Sequence, residues 1–193
     1  MVDHPLERTN LMSLDELIRL FESDGPFELI HGERIALNPM VMKHNVRAKR
    51  LYDAIVRFLL STSLGEAYFE AAFVLTYQSD WATGSRVPDI LFVRAQRLAA
   101  YIEAFPNWED MPLVLVPDLA VEVISTNDHY SDVDAKVELY LDDGVEVVWV
   151  VDPKQKTVTV RGCDYYKKLK IGDVLTGSDV LPGFELAVEK IFE

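Results

Sequence analysis

Val87-Pro88-Asp89-Ile90-Leu91-Phe92-Val93 and Asp118-Leu119-Ala120-Val121-Glu122-Val123-Ile124-Ser125 each set one acidic side chain within an otherwise apolar run. Short runs of β-branched and aliphatic residues bounded by Pro or Ser, with no helical period, predict two inner β-strands. An ionised carboxylate is costly to bury unless it is paired, hydrogen-bonded or bound to a metal, so Asp89 and Glu122 both require an explanation. If the two strands are neighbours, their carboxylates can converge on one cation. Alternation along the second run puts Glu122 on one face with Ala120 and Ile124, while Leu119, Val121 and Val123 point the other way. The plainer reading has Asp89 starting a strand and Glu122 facing solvent at a sheet edge. It suits either acid alone better than it suits both in adjacent apolar strands.

Working outward, the 193-residue chain is 49% hydrophobic. That suffices for one sizeable core without demanding two domains. Residues 13–193 are read as a single domain and residues 1–12 as a loose N-terminal tail. The net charge of -13 argues against nonspecific coating of nucleic acid, which needs phosphate neutralisation, but leaves room for a local basic groove. A single cysteine, Cys163, rules out an internal disulfide and a cysteine-rich metal site. No basic-then-apolar leader and no membrane-length apolar run is visible, so the expected location is the cytoplasm.

Ser13 and Glu16 form a capping-box pattern before Leu14, Leu17, Ile18 and Phe21, which predicts a short helix over Ser13–Glu22. Two apolar runs around His31-Gly32-Glu33 predict a hairpin with Glu28 in its first strand. Lys43 to Leu60 carries an apolar helical stripe, and its other face bears Lys43, Arg47, Lys49, Arg50 and Arg57 against one acid, Asp53. That face reads either as a solvated helix surface or as a phosphate-contacting one. Tyr68 to Tyr77 is expected as one strand, Gln78 to Ser85 as a turn containing Gly84, and Arg86 to Val93 as the Asp89 strand. Helices are expected over Arg94–Ala104 and Ser131–Leu141, with a Pro-interrupted loop between Phe105 and Pro117 that packs Trp108. Asp132, Lys136 and Tyr140 recur at four-residue spacing on one helix face. Lys136 either pairs with Asp132 at the surface or reaches over the mouth of the Glu122 strand. The alternation of helices and strands, continuing through Val145–Val151, Thr157–Arg161 and Tyr165–Ile171, predicts an α/β fold with a mixed central sheet flanked by helices.

Taken in order, Phe27-Glu28-Leu29-Ile30-His31-Gly32-Glu33, His44, the Asp89 and Glu122 runs, Asp132/Lys136/Tyr140, Trp149-Val150-Val151-Asp152-Pro153 and Leu181-Pro182-Gly183 carry a family resemblance. From about Ser13 to Phe192 the chain resembles the Uma family, whose members are described as putative restriction endonucleases of the PD-(D/E)XK nuclease superfamily. The resemblance implies a restriction-endonuclease-like core. By position, Asp89 and Glu122 correspond to the metal-binding acids. The superfamily lysine would stand two residues after Glu122, where this chain has Ile124. The resemblance moves that lysine to Lys136 on the following helix and adds Glu28 to the catalytic set.

These roles fit Mg²⁺, or Mn²⁺ in its place, held by hard oxygen ligands. The expected activity is hydrolysis of DNA phosphodiester bonds, with Arg47 and Arg50 contacting nucleic acid, His44 either contacting phosphate or serving as a structural histidine, and two copies acting as a homodimer. A second reading keeps the fold as a catalytically silent interaction module. A small-molecule metal hydrolase is less supported, because the four histidines, at positions 4, 31, 44 and 129, form no cluster.

Overall fold

The computed structural model describes residues 12–37, 41–78, 80–125 and 128–193. The expected N-terminal tail therefore lies outside the described residues, apart from Met12, which pairs with Ala82 in a short strand β1 (Met12–Ser13). Helix α1 (Leu14–Asp24) begins at Ser13, whose hydroxyl accepts from the Glu16 backbone N–H at 3.2 Å as the capping pattern predicts. Strands β2 (Phe27–Ile30) and β3 (Glu33–Ala36) form the expected hairpin. Its two-residue turn has both His31 (φ 51°) and Gly32 (φ 82°) in the left-handed region, the geometry that a tight hairpin turn requires.

The long helix α2 (Met42–Thr62) is followed by β4 (Gly65–Phe69) and β5 (Phe73–Tyr77), which belong to different sheets rather than to one strand. The chain turns at Glu70, whose φ is 50° and whose N–H donates to the Asp89 carbonyl at 2.9 Å. Gly84 also departs from expectation. It lies inside β6 (Trp81–Arg86), where a Cβ would meet Arg86 Nη1 at 2.8 Å, so its lack of a side chain makes room for that guanidinium. The Asp89 strand starts later than the pattern suggests, at β7 (Ile90–Arg94). Val87–Asp89 instead bridges the two sheets, because Pro88 has no N–H to give a ladder and the Val87 N–H donates to Glu28 Oε1 at 3.2 Å.

Helix α3 (Ala95–Ala104) leads through the Pro-interrupted loop, with a single 3-10 turn at Trp108–Asp110, to β8 (Leu119–Val123). Then come α4 (Tyr130–Asp142), β9 (Val147–Asp152), β10 (Thr157–Gly162), β11 (Tyr165–Lys170), the small pair β12 (Val174–Thr176) and β13 (Glu185–Ala187), and α5 (Glu189–Phe192). The main sheet runs β11-β10-β9-β8-β7-β4 and is mixed: β8 and β9 are parallel, joined across α4, and the other pairs are antiparallel. A second sheet of β1, β2, β3, β5 and β6 packs under α1.

The main sheet is covered on both faces. Leu119, Val121, Val123 and Trp149 meet α2 and the C-terminal segment, while Ala120, Val148 and Val150 meet α3 and α4. Trp108 packs against this second layer, as expected. Strands β7 and β8 are inner neighbours, with Ile90 opposite Val121, which meets the condition for their acids to converge. Among the described residues no helix is long and apolar enough to cross a membrane.

The β4–β7 register depends on close backbone approach at Gly65, where a Cβ would lie 2.1 Å from the Val93 carbonyl oxygen. Gly65→Ala should therefore lose about 1–3 kcal/mol of stability, as overpacking at a rigid contact does, read from urea denaturation. An unchanged midpoint would show that the edge strand shifts freely.

Candidate active site

Five elements bring one polar cluster together. Glu28 comes from β2, Asp89 from the bridge into β7, Glu122 from β8, and Lys136 and Tyr140 from α4; His44 reaches in from the first turn of α2. The Lys136 ammonium lies 3.1 Å from Glu28 Oε1 and 3.0 Å from Glu122 Oε1. Tyr140, fully buried, donates its hydroxyl to the same Glu122 oxygen at 2.5 Å. Asp89 Oδ2 accepts from the Val123 backbone N–H at 2.6 Å and lies 3.1 Å from His44 Nε2. Each acid is thus held through one oxygen. Asp89 Oδ1, Glu28 Oε2 and Glu122 Oε2 have no hydrogen-bond partner among the described residues.

The electrostatics follow from the packing. Burial pushes the Glu122 carboxyl up to about 7; the Lys136 charge opposes that rise, and the nearby Asp89 charge adds to it. Burial also disfavours the charged forms of Lys136 and His44, but their acid partners more than compensate. Glu122 and Glu28 raise Lys136 above its ordinary value, and the Asp89 hydrogen bond and charge lift His44 to about 9. The Tyr140 phenol is pushed well above its usual range, first by burial and then by the Glu122 charge, so it stays protonated and donates.

The structure brings together Glu28, Asp89, Glu122 and Lys136. Lys136 takes the reading in which it reaches the Glu122 strand, its ion pairs being with Glu28 and Glu122 rather than with Asp132. His44 lies elsewhere than a phosphate-contacting surface role needs: its side chain is 2% exposed and supports Asp89 from inside. Arg47 and Arg50 stay on the outer side of α2, and each has a buried nitrogen, Nε and Nη1, without a hydrogen-bond acceptor among the described residues. Lys49 and Arg57 are committed to Asp53.

Tyr140 was visible only as a helical-spacing partner of Lys136, and nothing in the pattern named it as the Glu122 donor. Arg86 is expected from its pattern only as the start of the Asp89 strand, and no local signal marks its role. It is buried and donates to the Leu29 and Ser85 carbonyls at 2.6 and 3.0 Å and to Asp143 at 3.2 Å, which clamps the strand carrying Glu28 to the end of α4. Among the described residues no group of three or more His, Cys, Asp or Glu side chains is placed to hold a metal ion.

The model of a family described as "Uma2: Putative restriction endonuclease" matches residues 14–189. Among solved structures, the chain is similar to one described as a putative nuclease belonging to DUF820 from Anabaena variabilis ATCC 29413. The TM-score is 0.74 at 20% identity, over 94% of this chain and 97% of that one, so the likeness is one of fold. No curated protein sequence matches the chain.

The His44 shift sets a sign for stability against pH. The folded chain keeps the imidazolium up to about 9 and the unfolded chain only to 6.5, so the fold binds more protons in that window and stability falls as pH rises through it. Glu122, held protonated to about 7 against 4.5 when unfolded, lowers stability in the same direction over the window below. His44→Gln should flatten the decline of Tm above pH 6.5. An NMR titration of wild-type His44 centred near 6.5 would contradict the assignment.

Proposed function

The chain belongs to the Uma2 family, described as "Putative restriction endonuclease", and from that premise we propose that it is a metal-dependent endonuclease that hydrolyses DNA phosphodiester bonds. The observation that carries the proposal is the Lys136 ammonium set between Glu28 and Glu122, with Asp89 just before the neighbouring strand β7, each acid keeping one oxygen without a hydrogen-bond partner among the described residues. This donor set suits Mg²⁺, which typically takes one or two carboxylates and completes its shell with water and phosphate oxygens.

Asp89 and Glu122 would hold the metal, which when bound supplies charge neutralisation at phosphate and a more acidic water. The protein's own groups do the rest. Val123 N–H and the His44 imidazolium fix Asp89, and Tyr140 fixes Glu122. Lys136 orients the attacking water and offsets negative charge that builds on the phosphate oxygens. Water attacks phosphorus in line, a P–O bond breaks, and the leaving oxygen takes up a proton. Arg47 and Arg50, partly exposed basic side chains of α2, are proposed phosphate contacts. Cutting both strands calls for two copies, hence a homodimer.

One observation favours a second reading, a catalytically silent module that keeps the fold. Lys136 already supplies a cation to two of the acids, so the cluster can be satisfied without metal.

Anomalous diffraction from Mn²⁺-soaked crystals separates the two without knowledge of the substrate. The nuclease reading expects a peak within roughly 2.0–2.6 Å of oxygens from both Asp89 and Glu122. No peak at high Mn²⁺ would favour the silent module. Glu122→Gln and Asp89→Asn should abolish Mn²⁺ binding while retaining the fold. Lys136→Ala should keep Mn²⁺ and lower cleavage by about 10²–10³, the usual cost of losing one preorganised charge-stabilising donor. Full cleavage by Lys136→Ala would remove it from the mechanism.

A further inference from the structure

Two clefts meet beside the acid cluster. The first, about 260 Å³, is lined at its inner end by His44, the partner of Asp89, and along its rim by Lys43 and Lys154. The second, about 140 Å³, lies between α4 and the β10–β11 hairpin. Ile124, Tyr130 and Asp152 line both, so the two adjoin and form one groove, which His44 links to Asp89.

Tyr130 stands at the junction and is 53% exposed, yet its hydroxyl is fixed. It donates to Asp152 Oδ2 at 2.6 Å and accepts from Gln155 Nε2 at 2.7 Å, and Gln155 in turn accepts from Lys168 Nζ at 2.7 Å. A half-exposed ring held by its edge is a preorganised stacking surface. Further along, Tyr166 is 62% exposed and shares a strand face with Lys168.

The charges point the same way. The ammonium groups of Lys43, Lys154 and Lys168 have no carboxylate partner among the described residues, in a chain with an excess of acids. Arg161 is neutralised by Asp134 and Glu138. Of the acids in the groove, Asp128 accepts from Ser125 N–H, and Asp152 from Lys154 and Gln155 N–H as well as from Tyr130. Those acids hold local turns, whereas among the described residues the three ammonium groups make no side-chain hydrogen bond or ion pair other than that from Lys168 to Gln155.

We propose that this groove seats unpaired nucleotides of the strand flanking the phosphate to be cut, with bases on Tyr130 and Tyr166 and phosphates along Lys43, Lys154 and Lys168. The substrate preference inferred here rests on the nuclease reading of the adjoining site. An exposed aromatic ring can stack only on a base whose face is free, and a duplex offers these rings mainly sugar and phosphate. The groove thus favours a single-stranded or locally opened substrate over a closed duplex.

Fluorescence anisotropy tests this with a dye-labelled oligothymidylate of about 16 nucleotides, the upper end of a single-strand site, and a duplex of the same length. The protein is full-length Glu122→Gln without divalent metal, so the probe survives. The single strand should bind more tightly than the duplex. Tyr130→Ala and Tyr166→Ala should each weaken it roughly tenfold, Tyr130→Phe should weaken it less, and Lys168→Ala should flatten the salt dependence. Both tyrosines are more than half exposed, so each alanine variant should keep a cooperative thermal melt, with Tyr130→Phe the control for loss of the Asp152 and Gln155 hydrogen bonds. Equal affinity for duplex, or no loss in either alanine variant, overturns the inference. Tyrosine-dependent single-strand binding without any Mn²⁺-supported cleavage by the wild-type chain would uphold the groove and count against the nuclease. Wild-type cleavage of duplex DNA that both alanine variants retain would do the reverse.

Discussion

The ammonium of Lys136, held about 3 Å from both Glu28 and Glu122, is the contact on which the arrangement of the site depends. Three carboxylates, two from strands and one from the bridge before β7, repel one another, and each loses hydration on burial. One cation shared between two of them, a phenol on Glu122, and a backbone N–H with an imidazolium on Asp89 offset part of that cost. The elevated Glu122 pKa shows that the compensation is incomplete. That residue of unfavourable energy is what a divalent ion at the free carboxylate oxygens would relieve.

Topology puts these groups within reach. The parallel β8–β9 step demands a crossover, and α4 supplies it on the face of the sheet that carries Glu122. A helix crossing there at the right rotation offers two residues one turn apart to the strand beneath it, and Lys136 and Tyr140 are that pair. Arg86 then ties the smaller sheet to the end of the same helix, so Glu28 and Lys136 keep a fixed relation although they arise in different layers.

Much of this was readable along the chain because it is periodic. The alternation in Leu119–Ile124 put Glu122 on the correct face, and the capping pattern at Ser13 and Glu16 located α1. What was not readable depended on partners distant in sequence. Arg86 to Val93 looks like one strand until the Val87 N–H is seen to serve Glu28, and Tyr68 to Tyr77 looks like one strand until Glu70 is seen to turn under Asp89. His44 is polar and stands in a basic helix, so its pattern suggests the surface. Its burial follows from the Asp89 carboxylate waiting across the interface with β7, which no local period can reveal.

Ile124 bears on how such a site can work without a lysine in the strand. A strand residue two positions beyond Glu122 shares its face and could bring an ammonium to one carboxylate. A helix residue descending onto the sheet instead reaches both Glu122 and Glu28, and this is where Lys136 stands. Releasing position 124 from that duty leaves an apolar side chain at the meeting point of the two clefts. In the nuclease reading, moving the lysine onto α4 therefore couples two acids through one cation and gives the floor of the groove a hydrophobic contact beside Tyr130, where a base rather than a phosphate is the better fit.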